Sequence, residues 1–335
     1  MGLNIRDIVP RREISFSELK GKVIAVDAFN AIYQFLSSIR QYDGTPLQDK
    51  QGNITSHLSG LFYRNISLLS EGIKLAYVFD GKPPEKKFAT NEARKKAKDI
   101  AKEKFEEAIK KKDYDEMKKY SAQFVKIDED IIKESKELLQ AMGIAIIQAP
   151  SEGEAQASYL AKTREAYGVA SQDYDCLLFG APRLIQNLTL ARKRKTISGY
   201  VEINPEIIEL EDVLNKLQID YDQLICLGIL TGTDYNPKGV KGIGQKKALQ
   251  FVQKYKTPIQ IFKNFDDLEF EWKEIFEMFK KSNVDKNIKI QFPKINEIKI
   301  KEILLERDFS LDRIDKQIEK LNEIKIKGAQ KTLFN

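Results

Sequence analysis

KVIAVD, at residues 22–27, is a short run of β-branched residues that ends in an acid, and KLAYVFD, at residues 74–80, repeats that design. Both stretches are typical of buried β-strands. Three further candidates are AIIQ at 145–148, AYGVAS at 166–171 and LIQ at 184–186, with helical periodicity between them. Residues 207–231 are predicted to be helical again. This alternation predicts an α/β fold, in which a mostly parallel central sheet is flanked by helices.

Acidic residues follow these predicted strands. Asp27, Asp80 and the pair Asp173 and Asp175 stand at or just after a strand end. Because ligands of open α/β sheets bind beyond the carboxyl ends of the strands, we expect these side chains to share one site. Further acids in the same kind of position are Glu152, Glu154 and Asp234.

So many carboxylates suit divalent cations. Mg²⁺ binds through carboxylates and keeps several waters, and a two-metal site needs more of them because its ions lie roughly 4 Å apart. Without metal, the like charges would repel one another and several groups would take up protons. Convergence of these acids therefore argues for bound cations.

Each acid also has an ordinary structural explanation. Ser151 and Glu154 form the S-x-x-E pattern of a capping box before an apolar helix. Asp80 before Gly81, and the stretch from Asp173 to Asp175, are typical of turns. These alternatives stay open for each residue alone. Together, five segments that begin or end an element with an acid favour a shared site.

The composition is that of a globular protein. Its 335 residues are 42% apolar, enough to bury a sizeable core in one large domain or two smaller ones. No apolar run approaches the roughly 20 residues of a membrane-spanning helix, and the first residues lack the apolar stretch of a secretory signal. Cys176 and Cys226 show no C-x-x-C spacing, so neither a disulfide framework nor a zinc site is indicated. We expect a soluble, intracellular protein.

The positive charge is concentrated in one segment. The net charge is +6, and residues 82–126 hold fifteen Lys or Arg against nine Asp or Glu, an excess equal to that of the whole chain. From Glu85 to about Leu139 the chain consists of helix formers without Gly or Pro and interrupts the strand–helix alternation. We interpret it as an insertion of charged helices, with a solvated helix face as the alternative.

Four motifs carry a resemblance to a known family. They are VFDGKPP at 78–84, APSEGEAQA at 149–157, SQDYDCLLFG at 171–180 and GTDYNPKGVKGIG at 232–244. Through them nearly the whole chain resembles the flap endonuclease family of structure-specific 5′ nucleases, which have a PIN-like domain, and most closely its archaeal members. The carboxylates that this resemblance assigns to metal ions are Asp27, Asp80, Glu152, Glu154, Asp173, Asp175 and Asp234.

The resemblance implies two Mg²⁺ ions, replaceable by Mn²⁺, which grip the scissile phosphate and activate a water, so that no side-chain base is required. His57, the only histidine, is then expected to be structural, in the middle of a helix. Lys87 and Arg94 match family residues that stabilise transition-state charge, with ordinary surface charge as the alternative. Tyr33 matches a tyrosine that stacks on an unpaired nucleotide, although such aromatics are usually core residues.

In the family the basic insertion is a helical arch through which the single-stranded 5′ end passes, and its Lys and Arg residues grip phosphates without regard to sequence. GVKGIG at 239–244 resembles a helix–turn–helix (helix-hairpin-helix-like) hairpin that holds duplex DNA and a monovalent cation, usually K⁺. For Arg40 and Thr55 an ordinary structural role stays open. The residues that the resemblance implies in DNA binding are Gly2, Tyr33, Arg40, Thr55, Arg64, Gly232, Asp234, Gly242, Gly244, Lys246 and Lys247.

The last residues resemble a sliding-clamp motif formed by Gln330, Leu333 and Phe334, although Phe334 stands earlier than the aromatics of that motif. We expect a single nuclease domain over 1–335. Its predicted parts are an N-terminal nuclease region at 1–84, the arch at 85–135, an internal nuclease region at 136–257 with the hairpin near 232–250, a C-terminal helical region at 258–328 and the clamp-binding tail at 329–335.

Residues and resemblance together predict a 5′ flap endonuclease and 5′–3′ exonuclease of DNA replication (Okazaki-fragment maturation) and base excision repair, which leaves a nicked, ligatable duplex. Its expected partners are branched DNA and a sliding clamp, with no membrane. We expect a cytoplasmic monomer in an archaeal cell, or a nuclear protein in a eukaryote. The alternatives are a junction- or repair-type nuclease of the same superfamily and a non-catalytic DNA- or clamp-binding protein.

Overall fold

The computed structural model describes residues 3, 5–82, 88–111, 113, 116–117, 120, 126–190, 192–196, 199–265 and 268–333. Its strands are β1 Arg12–Glu13, β2 Val23–Asp27, β3 Lys74–Phe79, β4 Ala145–Gln148, β5 Gly168–Ala170, β6 Arg183–Gln186, β7 Lys193–Thr196, β8 Gly199–Glu202 and β9 Glu206–Glu209. Seven of them form one sheet in the order β1-β9-β6-β5-β2-β3-β4, while β7 and β8 pair separately. The five strands β2 to β6 are parallel, and β9 joins β6 in the antiparallel sense. This arrangement confirms the predicted fold class.

Helices cover both faces of this sheet. They are α1 Ala28–Ser38, α2 Ser56–Ser70, α3 Phe88–Lys111, α4 Glu129–Ala141, α5 Gly153–Lys162, α6 Asp175–Leu178, α7 Leu210–Leu217, α8 Tyr221–Thr231, α9 Gln245–Tyr255, α10 Pro258–Phe262, α11 Trp272–Lys280, α12 Glu297–Glu306 and α13 Leu311–Leu333. A short 3-10 turn at Phe16–Leu19 precedes β2. None of the helices in the described part of the chain is both long and apolar enough to span a bilayer.

Two hydrophobic cores lie on opposite faces of the sheet because side chains alternate along a strand. Ile24 and Val26 enter one core, together with buried residues of α1, α2 and α4. Ala25 and Ala76 enter the other, together with α5 and α8. The buried alanines of α5 face these small strand residues, so the packing of each face follows from the sequence pattern of β2 and β3.

The region around Ile207 corrects one prediction. We expected residues 207–231 to be helical, but Glu206–Glu209 is a strand, and helix begins only at Leu210. Ile207 pairs with Ile185 of β6, and Ile207 and Ile208 lie in opposite cores. Burial of this β-branched pair on the two faces of the sheet outweighs the local preference of the helix formers that follow.

We expected His57 in the middle of a helix, but it lies in the first turn of α2. Its side chain is fully buried. Its Nε2 is 3.1 Å from a carboxylate oxygen of Glu134 in α4. The Arg307 guanidinium donates to the same carboxylate and, at 3.2 Å, to Asp49. Burial raises the pKa of Glu134, but hydrogen bonds from His57 and Arg307 outweigh it and hold that pKa below its usual value. The group joins α2, α4 and the end of α12.

The predicted insertion is only partly described. Helix α3 is followed by short described pieces up to Lys126. Helix α4 starts within the predicted arch range, where the Asp128 side chain accepts from the Ile131 amide at 2.9 Å, and it packs into the core through Leu138 and Leu139. At the other end of the chain, α13 extends to Leu333, so the backbone of the predicted tail is helical over 329–333.

Candidate metal centre

The carboxyl ends of three neighbouring parallel strands form the edge on which the predicted acids lie. β2 ends at Asp27, β3 ends one residue before Asp80, and β5 ends directly before Ser171. Asp27 is in register with Val78 of β3, and β5 pairs with β2 on the other side. Segments that are distant in sequence therefore meet at one edge of the sheet.

Asp27 is deeply buried in this edge, with 4% of its surface exposed. Its Oδ1 accepts from the Asn30 amide at 3.1 Å, which caps α1, and its Oδ2 accepts from the Ser171 hydroxyl at 3.0 Å. Burial, with the nearby charges of Asp80 and Asp173, raises the pKa of Asp27 to about 7, although those two hydrogen bonds lower it. The shift records carboxylates held close together.

Asp80 is fixed by the start of α5. Its Oδ1 accepts from the Gly153 amide at 2.6 Å. A Cβ atom on Gly153 would lie 2.6 Å from this oxygen, and one on Gly81 would lie 2.3 Å from the Ala149 carbonyl oxygen. Glycine is therefore required at both positions, where the two segments approach each other. The capping box that we considered for Ser151 and Glu154 does not form, because α5 begins after Glu152 and has no side-chain cap from its own sequence. The Asp80 side chain, which follows β3, accepts from the first amide of the helix instead.

Asp173 and Asp175 form the third group. The Asp173 amide is 3.1 Å from the Ser171 hydroxyl, and the Asp175 amide donates to Asp173 Oδ1 at 3.1 Å. The turn that we considered as the alternative for Asp173 is thus present, and it places Asp175 at the first position of α6, with 2% of its surface exposed. Burial raises the pKa of the next residue, Cys176, and so do the charges of Glu154, Asp27, Asp173 and Asp175, in that order.

Glu152 and Asp234 are joined to the edge through Tyr235. The Tyr235 hydroxyl donates to the buried Glu152 carboxylate, and its ring packs against Phe279 with 5.4 Å between centroids. Asp234 precedes this tyrosine in a turn closed by the Thr233 hydroxyl, which donates to Asn236 at 2.8 Å. Sequence reasoning missed Tyr235, and its only signal was its position directly after a predicted metal ligand.

These side chains fit divalent cations by their chemistry. All are hard oxygen donors, and three of them are buried. Burial, with the charges of Asp80 and Asp173, raises the pKa of Asp27, and a bound cation would oppose this rise. Among the described residues, no three acidic, histidine or cysteine side chains are arranged to hold one ion directly. Mg²⁺ is commonly bound by one or two carboxylates and several waters, so a compact triad is not required.

The predicted DNA-binding residues are spread along the same molecule. Tyr33, on α1, is 39% exposed. Arg40 donates to the carbonyls of Ser37 and Gly44, both at 2.8 Å, and burial lowers its pKa, as it does for Arg64. Thr55 is buried. Arg40 thus holds the loop after α1, whatever else it contacts.

The glycine hairpin leads into α9. Gly242 has a φ of +78°, which favours glycine, and Gly244 is the N-cap residue of α9. No atom lies within 4 Å of a Cβ placed on either glycine, so the backbone is open to a ligand. Lys246 and Lys247 are exposed beside it. Gly232, with a φ of +107°, closes α8 and packs on the Pro237 carbonyl.

The remaining predicted residues fall where the structure is not described. Gly2, Lys87 and Phe334 lie outside the described residues, and for Arg94, Gln330 and Leu333 only the backbone, in α3 and α13, is described. Their predicted roles stay predictions.

Comparison with known proteins agrees with this geometry. The family model for the XPG N-terminal domain matches residues 4–101, and that for the XPG I-region matches residues 143–234. Flap endonuclease 1 of Pyrococcus horikoshii is 51% identical over 336 residues, with 99% of this chain and 97% of the relative covered. The solved flap endonuclease-1 of Methanococcus jannaschii has a TM-score of 0.76 and 42% identity, covering 96% of this chain and 98% of that one. The catalytic core of Rad2, solved with DNA substrate, shares the fold, with a TM-score of 0.70, 24% identity and coverage of 96% of this chain and 100% of that one.

The fold and its carboxylate-lined edge define a nuclease of the XPG type, a class of enzyme that depends on divalent metal ions. Identity of about half over nearly the full length narrows the class further. The chain belongs to the flap endonuclease 1 family.

Proposed function

We propose that this chain is a structure-specific 5′ flap endonuclease and 5′–3′ exonuclease that hydrolyses a phosphodiester bond at the carboxyl edge of its sheet. The observation that carries the proposal is the gathering of acids from β2, β3 and β5 around Asp27, whose pKa is raised by burial and by its neighbours. In cells it removes 5′ flaps during Okazaki-fragment maturation and base excision repair and leaves a nick that can be ligated.

Two Mg²⁺ ions, or Mn²⁺, supply at this edge the activation of water and the neutralisation of charge on the scissile phosphate. Asp27, Asp80, Glu152, Glu154, Asp173, Asp175 and Asp234 would hold them. The protein keeps Asp80, Asp27 and Glu152 in place through the Gly153 amide, the Ser171 hydroxyl and the Tyr235 hydroxyl, respectively. Lys87 and Arg94 stabilise the negative charge of the transition state.

Positive and aromatic groups around this edge grip the DNA. The open backbone of Gly242 and Gly244, with Lys246 and Lys247 beside it, suits the phosphates of a duplex, with K⁺ held by hairpin carbonyls. The basic insertion at 85–135 encloses the single-stranded flap, and Tyr33 stacks on an unpaired base. Further DNA contacts are assigned to Gly2, Arg40, Thr55, Arg64 and Gly232.

The protein acts as a monomer in the cytoplasm of an archaeal cell. A sliding clamp binds its C-terminal residues Gln330, Leu333 and Phe334, with Leu333 and Phe334 as the apolar anchors.

Cleavage of labelled branched DNAs tests the function. A double flap with a one-nucleotide 3′ flap is cut near the junction in Mg²⁺ or Mn²⁺ and not in EDTA. Asp175→Ala abolishes this cleavage and leaves flap binding largely intact, because a buried metal ligand is lost without loss of the DNA-gripping surface. Equal cutting of four-way junctions would assign the chain to the junction-resolving class instead, and undiminished cleavage in EDTA would refute metal dependence.

A further inference from the structure

A second charged site lies away from the carboxylate edge. A cavity of about 440 Å³ opens between α5, from Ala155 to Lys162, the start of α8, the end of α11 and the segment that follows α11. Its lining residues belong to the described part of the chain, and none of them is acidic. The cationic residues that line it are Lys162, Lys280, Lys281 and Lys286.

The four lysines are not neutralised equally. Lys280 pairs with Asp222, and Lys281 pairs with Glu277 at 2.7 Å. Neither of these acids lines the cavity. Lys162 and Lys286 are exposed, and neither makes an ion pair with any other described residue. The cavity therefore keeps an excess of positive charge that an anion can neutralise.

Aromatic rings supply the rest of the lining. They come from Tyr159, Phe179, Tyr221 and Phe279. The Tyr221 hydroxyl donates to the Leu178 carbonyl at 2.6 Å, and this hydrogen bond holds the ring in place. Burial raises the pKa of that hydroxyl. Phe179 and Phe279 pack together with 4.8 Å between ring centroids. Apolar faces that are already immobilised lose little entropy when a flat ligand packs on them.

We propose that this cavity binds a nucleoside 5′-monophosphate, with its phosphate on Lys162 and Lys286 and its base against the ring of Tyr159. Lysine is a common ligand of phosphate, and aromatic rings stack on any base. The volume lies within the roughly 300–1,000 Å³ of small-molecule sites. A mononucleotide is also the product that 5′–3′ exonuclease action releases, and the choice of this ligand rests on the proposed function. The positive charge and the aromatic rings of the cavity are observed independently of that function.

The cavity is distinct from the candidate metal centre. Ala155 lines the cavity and follows Glu154, but Tyr159 and Lys162, which contact the proposed ligand, lie in the C-terminal half of α5, away from Glu152 at its N-terminus. The ring of Phe279 separates the two sites, because it lines the cavity and also packs against Tyr235, which bonds to Glu152. Variants that test the cavity can therefore leave Phe279 and the carboxylates unchanged.

Calorimetric titration of the full chain with dAMP in EDTA tests the site without cleavage or metal binding. One dAMP binds per chain. Lys162→Ala with Lys286→Ala weakens binding by about tenfold or more, about 1.4 kcal/mol. The matched control removes the same charge from exposed positions of α13, with Lys316→Ala and Lys320→Ala, and leaves the affinity unchanged. Tyr159→Ala weakens dAMP binding and leaves the binding of inorganic phosphate as it was.

Four results would overturn the proposal. They are the absence of saturable binding, an equal loss in both double variants, binding of inorganic phosphate as tight as that of dAMP, and displacement of dAMP by a single-stranded oligonucleotide at far lower concentration. Either of the first two results would show that dAMP is attracted only by the general positive charge of the protein. The third would show a site for phosphate alone, and the fourth would show a groove for single-stranded DNA. If flap cleavage is absent but dAMP binding follows the expected pattern, the proposed function fails and the site stands.

Discussion

Replacing Tyr235 with phenylalanine removes one hydroxyl group and leaves the ring in place against Phe279. The lost group is the donor to Glu152, a carboxylate that is only 8% exposed, so water does not readily replace it. A hydrogen bond to a charged group contributes about 1.5–3 kcal/mol. If that energy orients Glu152 for Mg²⁺, the Mg²⁺ concentration for half-maximal cleavage rises roughly 10- to 150-fold.

Single-turnover cleavage of a double-flap DNA over a range of Mg²⁺ concentrations measures this shift, and calorimetric titration with Mg²⁺ alone measures it without cleavage. Tyr77→Phe is the matched control, because its buried hydroxyl donates to Asn65 of α2 at 2.8 Å and not to an acid of the site. That control lowers the melting temperature and leaves the Mg²⁺ dependence unchanged. An unchanged Mg²⁺ midpoint in Tyr235→Phe, or the same shift in Tyr77→Phe, would refute the positioning role.

Gly153→Ala places a Cβ atom 2.6 Å from the Asp80 carboxylate, and displacement of that group by about 1 Å lowers the cleavage rate about 100-fold, measured in single turnover at saturating DNA. Glu134→Gln lowers the free energy of unfolding at pH 7 by about 1 kcal/mol. Because the pKa of Glu134 is held below its usual 4.5, this contribution is present above that value and is lost as the pH falls through the lower one, so denaturant curves of parent and variant converge in acid. Lys246→Ala with Lys247→Ala weakens flap binding for every sequence and lowers the slope of log affinity against log salt by about 2, measured by fluorescence anisotropy. An unchanged slope would show that these two lysines do not contact DNA phosphates.

The sequence predicted the parts of the fold whose pattern is complete within a few residues. β2 and β3 are such parts, because a buried central strand is a continuous apolar run. β9 was missed, since Ile207 and Ile208 are followed directly by helix formers, and only their pairing with β6 makes them a strand. β1 is two residues long and exposed, and it exists only through its pairing with β9. Short edge strands depend on partners that no local window contains.

The residues of the candidate site also divide into those that the sequence could predict and those that it could not. Asp27 and Asp80 could be predicted because strand ends in a parallel sheet share an edge, whichever helices cover it. Tyr235 could not, because its partner Glu152 is 83 positions away and the pair meets only after α5 and α8 have joined the same hydrophobic core. The local sequence at Ser151 fits a capping box, but in the structure the Asp80 carboxylate, from the end of a different strand, accepts from the first amide of α5.

The arrangement of the acids explains why the edge requires cations. The Asn30 amide and the Ser171 hydroxyl both stabilise the charged form of Asp27, yet burial and the neighbouring carboxylates still raise its pKa to about 7. The hydrogen bonds fix where the oxygens lie, but they do not neutralise the site. Protons would relieve the repulsion at the cost of the charge that binds metal. Divalent cations relieve it and keep every carboxylate ionised, so a fold that holds these acids by backbone amides and the hydroxyls of Ser171 and Tyr235 is suited to metal rather than to protons.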